Sequence, residues 1–154
     1  MSKVLSYLRA LAIDPQMNSF SQRKRLQKLG FLLKVWGFDV PYRFTWYVHG
    51  PYAPGLTQLL YDISVTRDRE GEELTADEEK GLKAFKNFLG EDITDSDKLE
   101  LLASIHFLRT EVSETGTSKD EVLLVMKEKK PYFTKAEIEQ GWRKSVELGK
   151  LTQQ

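Results

Sequence analysis

The chain has 154 residues, with 23 basic and 23 acidic side chains and no net charge. A chain of this length suits one domain, which can bury about 70% of its extended surface without staples. It has no cysteine, which excludes disulfides, thiolate metal sites and cysteine nucleophiles. Its two histidines, His49 and His106, cannot form a histidine-rich metal site by themselves, and no cofactor is expected. No apolar run approaches the ~20 residues that span a bilayer. Residues 1–13 alternate polar and apolar and carry no cleavage site, so a cytoplasmic protein without membrane contact is expected. The zero net charge is unevenly distributed: +6 over residues 1–50, −8 over 51–120 and +2 over 121–154. Such asymmetry could orient a charged partner; the plainer reading is that folding interleaves the segments and cancels the field.

In chain order, Val4, Leu5, Leu8, Leu11 and Ala12 recur at helical spacing and predict a helix over 3–13. Asp14-Pro15 ends it, because proline disfavours a helical residue before it. Ser19 or Ser21 caps a second helix that runs to Trp36, with Leu26, Leu29, Leu32, Leu33 and Trp36 as its stripe and Gly37 as its stop. Phe44–Val48 reads as a strand, and Val40-Pro41-Tyr42 as a second short extended piece. In strict alternation Phe44, Trp46 and Val48 share one face, and Thr45, Tyr47 and His49 the other. His49-Gly50-Pro51-Tyr52 follows as a turn, and Gly55–Val65 as a helix.

Arg67–Glu73 reads as a charged loop. Thr75 with Glu78 forms a capping box that opens a helix at Ala76, with Leu82, Phe85 and Leu89 inward and Gly90 at its end. Asp95 caps a helix over Ser96–Val112, with Leu99, Leu102, Ile105 and His106 inward. Ser118 with Glu121, and Thr134 with Glu137, form two further boxes that open the last two helices. The fold class that results is mainly α: a single domain, residues 1–154, of about seven helices with a short β element and a helix-turn-helix-like C-terminal part.

No Gly-rich phosphate loop, G-x-S-x-G or H-E-x-x-H is present. His49 could act as a general base, since histidine titrates near neutral pH, but no nucleophile lies near it in sequence. The simpler role is to pin the turn. Mid-helix His106 reads as a half-buried packing residue. Arg23, Lys24, Arg25, Lys28 and Lys34 place five positive charges on one helix that could meet phosphates. The plain alternative is a solvated face, with Lys24 and Lys28 together at i,i+4 spacing. Glu137, Glu139 and Glu147 on the last helix argue against DNA reading there. Tyr42, Trp46, Tyr47 and Tyr52, beside Pro51 and Pro54, are residue types that anchor protein interfaces; they also suit a core joining strand to helices.

Taken in order, Arg25-Leu26-Gln27-Lys28-Leu29 in an early helix, a strand, and then Trp46-Tyr47-Val48-His49-Gly50-Pro51-Tyr52-Ala53-Pro54-Gly55-Leu56 make a pattern that resembles the Panacea domain of SocA-like antitoxins. Its YwgA-like relatives are the closer likeness. Lys98–Ile105 on a helix followed by two capped helices fits the same pattern, so the resemblance spans the chain from about residue 20. It implies a mostly helical, non-enzymatic module that neutralises a separate toxin or effector protein by direct contact, in a toxin–antitoxin or defence locus. Arg25, Lys28, Trp46, Tyr47, His49, Gly50, Pro51 and Tyr52 are the expected partner-binding residues, and a homodimer is compatible with them. The alternatives are a winged-helix-like DNA-binding regulator and an enzyme centred on His49.

Overall fold

A computed structural model describes residues 3–66, 72–112 and 117–152. Seven α-helices and one two-stranded antiparallel sheet make up the fold among these residues. The first helix, α1 (Val4–Ala10), is shorter than its apolar spacing predicts. Ala12 turns left-handed at φ 59°, and Ile13 N–H donates to the Leu8 carbonyl, closing the helix before Asp14-Pro15 is reached. Burial of Leu11 and Ile13 offsets the ~1 kcal/mol that a left-handed alanine costs.

The second helix, α2 (Phe20–Trp36), starts at the Ser19 cap, whose hydroxyl accepts from Gln22 N–H, and stops at Gly37, φ 115°. Every residue from Leu26 to Leu33 is buried, so this middle part of α2 is enclosed on all sides rather than along one stripe. Its leucines face the apolar core; Gln27 and Lys28 face the sheet.

The sheet is a hairpin of β1 (Thr45–Tyr47) and β2 (Gly50–Tyr52), in register Thr45↔Tyr52, Trp46↔Pro51 and Tyr47↔Gly50. This corrects the expected boundaries. Val40-Pro41-Tyr42 forms no strand; the partner strand is Gly50-Pro51-Tyr52, the segment expected to be a turn, and the turn itself is Val48-His49. Pro51 is tolerated because a two-stranded ribbon leaves it an edge position that needs no N–H. The turn also breaks the alternation, leaving Val48 exposed rather than aligned with Trp46.

Helix α3 (Pro54–Thr66) follows at once. The expected loop at 67–73 lies outside the described residues except for Glu72 and Glu73. Helix α4 (Ala76–Leu89) begins at the full Thr75–Glu78 box and ends at Gly90, where a 3₁₀ turn leads to Asp95, the cap of α5 (Ser96–Thr110). Helices α6 (Lys119–Lys129) and α7 (Lys135–Thr152) start where their caps predict. At α7 both bonds of the Thr134–Glu137 box form; at α6 the Ser118 hydroxyl accepts from Glu121 N–H and donates to the Glu121 carboxylate.

Helix α5 is the hub, packed on α2, α6, α7 and β2. Leu99, Leu102 and Ala103 join the larger apolar cluster with α1, α2, α3 and α4, while Leu101, Ile105 and Leu108 join a second cluster with α6 and α7. The uneven charge is interleaved as expected: basic residues of the first segment pair with acids of the second, Lys3 with Glu78 and Lys24 with Asp97 and Glu100.

Candidate functional site

The hairpin is fastened to the helices by side chains that bond its backbone. From α2, the Gln27 amide accepts from Ala53 N–H at 2.9 Å and donates to the Ala53 carbonyl at 3.1 Å and the Thr57 hydroxyl at 2.6 Å. The next residue, Lys28, donates from Nζ to the Pro51 carbonyl at 2.6 Å. From the end of α6, Lys130 Nζ donates to the Val48 carbonyl at 3.1 Å and stands 5.4 Å from the Trp46 ring centre. Gly50 takes φ 94°, and a Cβ there would collide with the Ser104 hydroxyl of α5. Glycine is therefore required twice over, by conformation and by space.

Beneath the hairpin lies Glu100 of α5, fully buried. Its carboxylate accepts from Lys24 Nζ at 2.9 Å, from Lys130 Nζ at 2.8 Å and from the Tyr132 hydroxyl. Burial pushes the Glu100 carboxyl up, but these three donors outweigh it and hold it below the ordinary range. Lys24 is opposed by burial yet raised by Asp97 and Glu100. Lys28 pairs with no carboxylate among the described residues, and burial holds its amine down at about 7. His49 Nδ1 is 3.9 Å from Glu100. Its imidazole is held below its ordinary value, by burial first, with Glu100 opposing. Across the hub helix, His106 is fully buried rather than half-buried, with Nδ1 2.9 Å from the Ser145 hydroxyl, and desolvation lowers it to about 4.

A cleft of about 280 Å³ opens between α2 and the hairpin. Phe20, Tyr47 and Tyr52 form its aromatic walls, and Arg23, Lys24, Lys28 and His49 its basic part. Phe20 meets His49 edge-on at 4.9 Å, and the Tyr47 and Tyr52 rings lie 5.4 Å apart.

The structure gathers the expected partner-binding residues around the hairpin but sorts them. Tyr47 is exposed, and His49 and Tyr52 are partly so. Trp46 is half-buried against Phe107. Lys28, Gly50 and Pro51 are buried and face inward, because they fasten the hairpin to α2 and α5. Arg25 is half-buried and points away from the cleft, donating from Nε to the Ile93 carbonyl at 2.7 Å. The basic helix is likewise not a solvated face: Lys24, Arg25 and Lys28 bond inside the protein, while Arg23 and Lys34 are exposed, Lys34 donating to the Tyr42 carbonyl.

Gln27, Glu100, Lys130 and Tyr132 were not singled out as site residues in the sequence, although one signal was present. Glu100 interrupts an otherwise apolar run from Leu99 to Ala103, where an acid must be buried and paired.

Compared with known proteins, the chain matches no family model, no curated protein and no solved structure. Among the described residues, no helix is long and apolar enough to cross a membrane, and no group of three or more histidines and acids could hold a metal ion.

Proposed function

We propose that this chain is a non-enzymatic, cytoplasmic protein-binding module that docks a separate protein through the aromatic surface of its hairpin. The observation that carries this reading is the grouping of Phe20, Tyr47 and Val48, which are 52%, 61% and 69% exposed, around a hairpin locked into the helices behind it. Aromatic anchors on a rigid support give large contact area at small entropic cost. Arg23, exposed beside the adjoining cleft, favours an acidic partner surface. The resemblance to Panacea and SocA-like antitoxins supports the same reading and names the class of partner: a toxin or effector in a toxin–antitoxin or defence setting.

Co-expression with proteins encoded beside it tests this. A partner should co-purify, and any toxicity of that partner should be silenced. Tyr47→Ala or Tyr52→Ala should weaken the complex by about 2 kcal/mol if either is a hot spot, with circular dichroism unchanged. Variants that stay folded and bind at full strength would move the interface away from the hairpin. Self-association lost on the same substitutions would reassign the surface to a homodimer.

A further inference from the structure

The cleft beside the hairpin has an unbalanced charge. Among the described residues none that lines it is acidic, while Arg23, Lys24, Lys28 and His49 all border it. Behind it, Glu100 is shared between Lys24 and Lys130, and Asp97 takes a second bond from Lys24. Among the described residues Lys28, 2% exposed as a residue, has a single carbonyl acceptor, that of Pro51. A buried ammonium with no carboxylate bonded to it is costly. Either the amine gives up its proton, or an anion enters to balance it.

The walls decide what kind of anion. They are mostly apolar and aromatic, from Phe20, Tyr47 and Tyr52, so a fully hydrated inorganic ion would gain little from them. The volume, about 280 Å³, falls just below the ~300–1,000 Å³ of drug-sized ligand sites, which fits a body of about one ring.

We propose that this cleft is a binding site for a small organic anion, an acidic head on a single planar apolar ring, with the head paired to Lys28 and Lys24 and the ring against Phe20, Tyr47 and Tyr52. The site belongs to this chain alone and stands whether or not the hairpin docks a protein. Binding favours the ammonium form of Lys28, so it takes up a proton at neutral and mildly alkaline pH. The groups that face Lys28 are Lys24 on its own helix, Glu100 on α5, Lys130 at the end of α6 and His49 in the turn. Burial holds Lys28 at about 7, so its amine changes charge between pH 6 and 8.

The test is calorimetric titration of the whole chain with benzoate and phenyl phosphate, with benzyl alcohol as a neutral control of similar shape. Benzoate does not titrate between pH 6 and 8, so its pH dependence reports the protein; phenyl phosphate, whose second ionisation lies near pH 6, is compared at one pH. Benzoate should bind saturably at millimolar concentration or below. It should bind about tenfold tighter at pH 6 than at pH 8, and at pH 8 the buffer dependence of the heat should report proton uptake. Lys28→Met should abolish the pH dependence and weaken binding about tenfold, and the exposed Tyr47→Ala should weaken binding without disturbing the fold.

No saturable binding of either anion up to about 10 mM, benzyl alcohol binding as well as benzoate, or an affinity flat between pH 6 and 8 would each overturn the proposal. A failed search for a protein partner would leave it standing, because the titration uses no partner.

Discussion

Between α1, α2 and α4 the interior is filled by Tyr7, Leu29, Leu32, Phe85 and Leu89, whereas beneath the hairpin it is filled by Gln27, Lys28, Glu100 and Lys130. Both regions are buried, and both are built on α2 and α5. The first is held by contact area, with Phe85 against Trp36 at 5.5 Å and Phe38 at 6.5 Å, and apolar packing of this kind tolerates volume-conserving swaps. The second is held by directional bonds to particular atoms: the carbonyls of Val48, Pro51 and Ala53 and the carboxylate of Glu100. A slip of one residue in the hairpin would take those carbonyls from their donors. The polar interior therefore specifies one hairpin position, and with it the placement of Tyr47, His49 and the cleft.

Removing one member from each interior should cost most. Phe85→Ala should destabilise by about 3–5 kcal/mol through the cavity it leaves. Glu100→Ala should cost a similar ~3–5 kcal/mol by leaving Lys130 buried and uncompensated. The two losses differ in rescue: Glu100→Met combined with Lys130→Met should recover much of the second, because a matched apolar pair needs no counter-charge. Urea unfolding decides it. A Glu100→Ala loss below about 1 kcal/mol would mean that the polar cluster does not hold this region.

The pH dependence separates the interiors next. Burial holds Lys28 at about 7 against an ordinary 10.5, so between those values the unfolded chain carries a proton that the folded chain has lost. Stability should rise across that window as pH rises, on the order of a few kcal/mol in total, and Lys28→Met should flatten the rise. Urea midpoints at pH 7, 8 and 9 for both proteins measure it; equal slopes would remove Lys28 as the cause.

A smaller effect distinguishes backbone strain from crowding. Gly37 and Gly50 both hold positive φ, 115° and 94°, but a Cβ on Gly37 meets open space while one on Gly50 meets Ser104. Gly37→Ala should cost about 1 kcal/mol from strain alone, and Gly50→Ala more. Equal losses would show that the approach of the hairpin to α5 can relax. Thr75→Ala should be the mildest, about 1 kcal/mol or less, since it removes one exposed cap and touches neither interior. Thermal melts suffice for both.

Much of the scaffold was legible in the chain because its causes are local. Ser19, Thr75, Asp95, Ser118 and Thr134 each mark a true helix start, since a cap needs only a side chain within three residues of the N–H it satisfies. The leucine spacing of α2, and the stops at Gly37 and Gly90, are local in the same sense. The aromatic segment at 44–52 was legible as an extended piece meeting a helix, and Tyr47, His49 and Tyr52 border the cleft.

What only the tertiary structure decided was the role of each charge. Lys24 and Lys28 look like a solvated i,i+4 pair until α5 brings Glu100 beneath them, 76 residues from Lys24 in sequence. Lys130 looks like the end of a basic run until it reaches Val48, 82 residues away. Helical periodicity reports which face is apolar, not which polar side chains will find a buried partner across the fold. That depends on contacts set by packing, and here packing turned the most basic stretch of the chain inward.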